Sequence, residues 1–393
     1  MNMRKFYFLS IIAGTVFAYS SCTNDLVEEV SEKISEHVQT GAPMNFSAKV
    51  GGKANDSKSQ TGKRKVNYAD EFFFGPGAVF LKWETGDLIG VDCPDAYDKD
   101  GQATRAVYQV EDPGIAGNTD GLVSYGGTHL YWGANNIHRV FYGYPAGRVI
   151  MENLEEKSED PYDFTRSFTA SIEHVQEGTV EAEVILVNGE PVEGYRAVDK
   201  QNMLCGGVAF VERDETGQND AVELIFDSYF SSVDVIFTNS EEGNLTIKEV
   251  AIEMEKDDPD NKISALSGTC SGNMYWGVDN LLTLDAITPK EGESYPDVSI
   301  KVKGQDAETF ALPKGKSLSV VLCMLPDREP TGTIGTGEED KKYGRYMVGK
   351  LKVTYSYGDE VEQTRYLDIS GIYWINTRNR IDVPTLPHVT LPE

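Results

Sequence analysis

The sequence predicts an all-β protein of two tandem β-sandwich domains. Three observations predict it. Short runs of alternating apolar and polar residues recur from Met44 to Val383, with turn residues between them. No helical period is sustained after residue 40. At 393 residues and 40% apolar content, the chain is long enough to bury more than one core.

Residues 1–21 read as a targeting segment. Arg4 and Lys5 give a positive start, and Phe6 to Tyr19 form an apolar stretch too short to span a bilayer comfortably. Ser20 and Ser21 precede Cys22, as in a lipoprotein signal cut before a cysteine that takes the lipid. An ordinary secretory signal with an incidental cysteine is the other reading. No later stretch is apolar enough for a membrane-spanning helix, so any membrane attachment is expected through lipid on Cys22. Residues 22–43 form a tether. Leu26, Val27, Val30, Ile34 and Val38 recur at three- and four-residue steps, which predicts a short or partly formed amphipathic helix.

The N-terminal domain is expected over 44–212. Met44 to Val50 alternates cleanly and reads as its first strand. Residues 51–65 carry no apolar side chain beyond Ala54, which predicts a loop open to proteases. Lys63-Arg64-Lys65 is the densest basic cluster of the chain, and simple solvation accounts for it. Trp83 then closes one end of a turn-and-strand unit. Gly86 can take the positive φ of a tight turn, Asp87 can bond neighbouring backbone, and Ile89 and Val91 share one face. Further strands are predicted at 107–110, 122–125, 138–144, 180–187 and 207–211.

Arg213 to Asp220 is polar throughout and marks the expected boundary to a C-terminal domain, 213–393. Its strands are predicted at 222–226, 233–237, 245–247, 250–254, 298–302, 318–325, 347–355, 365–369 and 380–383. The last segment must be extended, because Pro384, Pro387 and Pro392 forbid helix and each removes a ladder donor.

Little chemistry is written in the side chains. Cys93, Cys205, Cys270 and Cys323 lack metal-ligand spacing. An exported chain could pair them in three ways, while the apolar run around Cys323 suggests buried thiols for at least some. His37, His129, His138, His174 and His388 form no metal or nucleophile pattern. Asp98 to Gly101 and Asp257 to Asn261 look like pieces of calcium loops without the closing acid. No catalytic residue, cofactor or metal site is predicted. Three aromatic pairs stand out: Tyr131-Trp132, Tyr275-Trp276 and Tyr373-Trp374. Trp132, Trp276 and Trp374 are either large core residues or exposed platforms for sugar stacking. Without residues 1–21 the chain has 34 basic and 63 acidic side chains, a net of −29. That argues against nucleic acid and anionic membrane surfaces as partners.

Several segments share a wording. Trp83 with Gly86-Asp87-Leu88-Ile89-Gly90-Val91 follows the first strand by about forty residues. Phe141 to Ala146, Val222 to Phe237, Leu245 to Ile252 and Leu322 to Pro326 follow in order. Together they resemble the fimbrillin-like surface lipoproteins of Bacteroides and its relatives, from Met44 to about Val383. The resemblance implies two transthyretin-like sandwiches anchored by lipid at the outer membrane. It implies a non-catalytic stalk, tip or anchor subunit of an adhesive pilus. It also implies a protease cut after a basic residue beyond the first strand, here Arg64. The first strand then leaves, and the C-terminal strand of another subunit fills its groove. A sandwich that loses Met44 to Val50 would expose unpaired backbone and apolar pockets at two-residue spacing, which an added strand can fill. A glycan-binding surface lipoprotein outside any pilus, with host or bacterial surface glycans or proteins as partners, is the alternative.

Overall fold

The computed structural model describes residues 43–50, 83–93, 104–112, 121–127, 129–132, 140–152, 165–188, 190–200, 205–211, 221–228, 231–254, 265–276, 282–325, 344–347, 349–369, 371–374 and 378–388. Residues 22–42 of the tether, Cys22 among them, and Arg64 lie outside these residues, as do the two acidic turns.

The described chain is all-β, with no α-helix. Its strands begin with β1 (Phe46–Val50), β2 (Leu88–Asp92), β3 (Arg105–Asp112), β4 (Gly121–Ser124), β5 (Val140–Pro145), β6 (Val149–Met151) and β7 (Arg166–Ile172). There follow β8 (Val175–Val187), β9 (Glu190–Val198), β10 (Cys205–Phe210), β11 (Val222–Ser228), β12 (Ser231–Thr238), β13 (Leu245–Met254), β14 (Ser267–Trp276) and β15 (Leu282–Tyr295). The last are β16 (Asp297–Lys303), β17 (Ala311–Leu312), β18 (Ser317–Met324), β19 (Gly344–Met347), β20 (Gly349–Tyr357), β21 (Gln363–Asp368), β22 (Gly371–Trp374) and β23 (Arg378–Asp382).

Two cores organise them. A seven-stranded sheet, β1-β11-β10-β5-β2-β3-β4, and a four-stranded sheet, β15-β14-β7-β6, contribute side chains to the first. Phe46, Ile89, Val91, Tyr108 and Phe141 come from one sheet, and Val149, Phe168, Ile172 and Met274 from the other. The second core belongs to a ten-stranded curled sheet. Its order is β21-β20-β13-β16-β8-β9-β18-β12-β23, with β17 beside β13. Burial alternates as period-two strands require: β7 hides Arg166, Phe168, Ala170 and Ile172 and leaves Ser167, Thr169 and Ser171 half-buried. β18 is buried at every residue, which explains the apolar run from Val320 to Met324.

The Gly86 turn forms as its residues dictate. Gly86 sits at φ 99°, the Asp87 N–H donates to the Glu84 carbonyl at 3.1 Å, and the Asp87 carboxylate accepts the Glu84 N–H at 2.8 Å. Farther along the sheet, Phe226 lies where glycines make room. A Cβ on Gly143 would stand 2.4 Å from its ring and one on Gly207 2.8 Å. Trp83 meets the same ring edge-on at 4.8 Å.

The boundary expected at 213–220 does not separate the cores. β11, beyond that point, pairs with β1 and β10 in the first sheet, and β14 pairs with β7. β8 and β9, before it, belong to the ten-stranded sheet. Among the described strands the chain passes between the cores five times: after β7, β9, β11, β13 and β15. A polar linker is a local signal, whereas strand partners lie far apart in sequence.

Candidate functional site

β1 is an outermost strand of its sheet, held on one side by a parallel ladder to β11 from Phe46↔Val222 to Val50↔Phe226. The Val222 N–H donates to the Asn45 carbonyl at 2.8 Å. On its other flank the Met44 N–H donates to the Leu130 carbonyl at 2.8 Å, and Pro43 bridges to Tyr131. Met44, Phe46 and Ala48, at two-residue spacing, are all buried. Phe46 packs against Tyr108, with centroids 4.9 Å apart, and edge-on against Phe141 at 5.6 Å. The Tyr108 hydroxyl accepts the Leu130 N–H at 3.1 Å, and burial pushes its pKa upward. Outside, Lys49 pairs with Glu223 across the ladder. Three core-filling side chains on a strand with one ladder mean that apolar burial is a large part of what holds β1 in place.

At the other end, β23 runs parallel to β12 and is the last strand of the ten-stranded sheet. The Val383 N–H donates to Ile236, and the chain then continues as a strap over the same core. Leu386 is buried there. The strap is gripped by side chains. Tyr357 donates to the Leu386 carbonyl at 2.9 Å, Tyr355 to that of Pro387 at 3.1 Å and Arg365 to that of Thr385 at 3.0 Å. His388 stacks on Tyr357 at 3.9 Å and meets Glu360 at 2.8 Å, a bond that raises its pKa. Prolines 384 and 387 supply no N–H, so recognition falls on the strap's carbonyls.

Of the predicted stacking residues, Trp132 is 4% exposed and packs edge-on against Phe141, so it is a core residue with no face to offer a sugar. Trp276 and Trp374 lie on β14 and β22; their side chains are outside the described atoms. All four cysteines past Cys22 are buried thiols. Burial pushes Cys270 up to about 11 and Cys323 further still.

Two clusters escaped the sequence reading. Asp92, fully buried, accepts from Arg166 Nε at 2.6 Å and Nη2 at 3.1 Å, and from Arg105 Nε at 3.2 Å. Both guanidiniums also donate to the Glu152 carbonyl, which ties the two sheets of the first core together. The available signal was Arg166 itself, an ionised residue in the inward register of β7 that demands a buried partner. A Ser/His/Asp grouping lies between the cores: His174 Nδ1 is 3.4 Å from Ser267 Oγ, and its Nε2 is 3.8 Å from Asp297. It is not a nucleophile. Ser267 is buried and its hydroxyl donates to the Asp297 carbonyl at 2.7 Å. Among the described residues no cluster of His, Cys, Asp and Glu could hold a metal ion.

No protein-family model and no curated protein sequence matches the chain. Among solved structures, it is similar to a candidate cell adhesion protein from Bacteroides ovatus, at 13% identity and TM-score 0.38, over 86% of this chain and 90% of that one. It is similar also to a fimbrial protein from the same organism, at 10% identity and TM-score 0.32, over 88% of this chain. The alignment takes in 49% of that fimbrial protein, about half its length. A third is a candidate cell adhesion protein from Bacteroides fragilis, at 11% identity and TM-score 0.34, over 88% of this chain and 90% of that one.

Proposed function

We propose that this protein is a non-catalytic, lipid-anchored surface subunit of the fimbrillin-like class, built to be joined to other subunits by strand exchange in an adhesive pilus. The observation that carries the reading is the β1 edge: an outermost strand with a single ladder that plugs the first core with Met44, Phe46 and Ala48. In this reading lipid sits on Cys22 at the outer membrane, and cleavage after Arg64 frees β1 from the strands that follow. The strap contacts argue for a tip or anchor over a stalk. The tail is occupied by its own second core, and its prolines make it a poor central strand.

The test is limited digestion of the mature chain with a trypsin-like protease. Cleavage confined to 51–65 followed by self-association supports strand exchange. A clean cut with no change in size leaves a surface lipoprotein outside any pilus. For that second role, glycan binding would fall to Trp276 and Trp374, and binding unchanged by their replacement with alanine removes it.

A further inference from the structure

Two parallel ladders flank one short link. β1 lies parallel to β11 through five register pairs, and β23 lies parallel to β12 through five more. β11 and β12 are consecutive in the chain, separated by residues 229 and 230, and belong to different sheets. β1 and β23 are each the last strand of their sheet.

Consider tension that draws apart the chain before β1 and the chain after β23. β1 is pulled toward its own N-terminal end. β11 is pulled toward its C-terminal end, because the backbone leads from it through 229–230 into β12. In a parallel pair these pulls oppose one another along the shared axis, so all five register pairs resist together. The second ladder behaves alike: the link pulls β12 toward its N-terminal end, and tension pulls β23 toward its C-terminal end. Antiparallel pairing at either place would set both pulls at one end of the ladder, and its bonds would open one after another. The burial of Phe46 and Ala48 adds to the resistance, since sliding β1 drags both through the core. The strap, beyond Val383, meets the pull first and peels contact by contact.

We propose that the β1–β11 and β12–β23 ladders are two shear clamps in series that carry tension through the molecule while both cores stay folded. This does not rest on the pilus reading: it is argued from the parallel direction of both ladders, their place at the sheet edges and the short link between β11 and β12.

Single-molecule force spectroscopy tests it by moving the handle and leaving the strands intact. The full chain carries Cys22→Ser and Lys49→Cys, Lys49 being a surface residue at the far end of β1. It is held either by its N- and C-terminal ends or by the thiol introduced at position 49 and its C-terminal end. Held at position 49, β1 is pulled from the end at which β11 is also pulled, so the first ladder peels. The first rupture force is expected to fall severalfold relative to the same chain held by its ends. Equal forces in the two geometries overturn the proposal. Forced unfolding is set by a barrier and not by equilibrium stability. Val353→Ala, in the second core and outside both ladders, should therefore lower thermal stability and leave the end-to-end rupture force in place. A comparable fall in force with Val353→Ala also overturns it.

Discussion

Phe46→Ala tests whether β1 is a plug that opens locally. Phe46 is 2% exposed and touches two rings, Tyr108 and Phe141. Truncating a buried phenylalanine costs about 3–5 kcal/mol. Each hydrogen bond of the β1–β11 ladder contributes only about 0.5–1.5 kcal/mol net. The single ring thus rivals most of the ladder. If β1 leaves without global unfolding, the loss falls on that local opening alone. At roughly 1.4 kcal/mol per decade, detachment becomes about a hundred- to several-thousand-fold more frequent. The Val222 amide reports it directly, since its acceptor is the Asn45 carbonyl just before β1. Native-state hydrogen exchange should show Val222 protection falling by that factor, while the amides of β13 in the second core keep theirs. Equal losses at Val222 and β13 would mean that β1 departs only on global unfolding, and the plug reading would fail.

Other outcomes follow from the same geometry. Asp92→Asn strips the buried Arg166 and the half-buried Arg105 of their counter-charge and should cost about 3–5 kcal/mol in denaturant titration. Arg148→Ala breaks the more exposed pair with Glu173 and should cost at most about 1 kcal/mol. At pH 8 Cys270 and Cys323 should resist alkylation in the native protein and react on unfolding, as mapped by peptide mass, because raised pKa values suppress their thiolates. His388 has a raised folded-state pKa, owing first to its bond with Glu360. Its contribution to the strap is full below the ordinary histidine range, about 6.5, and lost as pH rises through the higher folded value. The methyl resonances of Leu386 should shift over that window, and His388→Gln should flatten the response.

The all-β class was legible because alternation is local. Leu88 to Val91, Val233 to Phe237 and Leu318 to Leu325 could be read as strands without knowing their partners, and a strand lies over each, the last ending at Met324. The Gly86-Asp87 turn was legible for the same reason. β7, β14 and β15 were missed. Arg166-Ser-Phe-Thr-Ala-Ser-Ile and Ser267-Gly-Thr-Cys-Ser-Gly-Asn set small polar residues on their outward face, so their apolar content is too low to stand out. The boundary at 213–220 followed from polarity, yet pairing is non-local, and β11 joins β1 across more than 170 residues of chain. The β1 edge was readable as a strand, but its single ladder was not. The strap was readable as extended, yet nothing in its prolines told which tyrosines would hold it.

The fivefold passage of the backbone between cores sets an order for how the protein can be made. A nascent chain that has reached residue 212 holds β1 to β7 and β10, but lacks β11, β14 and β15, and so cannot close its first core. It already carries β8 and β9, whose partners β16 and β18 arrive about a hundred residues later. High contact order of this kind means slow folding and long exposure of unpaired edges. Fragments cut at the polar linker would each lack strands that close a core, and cannot be expected to fold as separate halves.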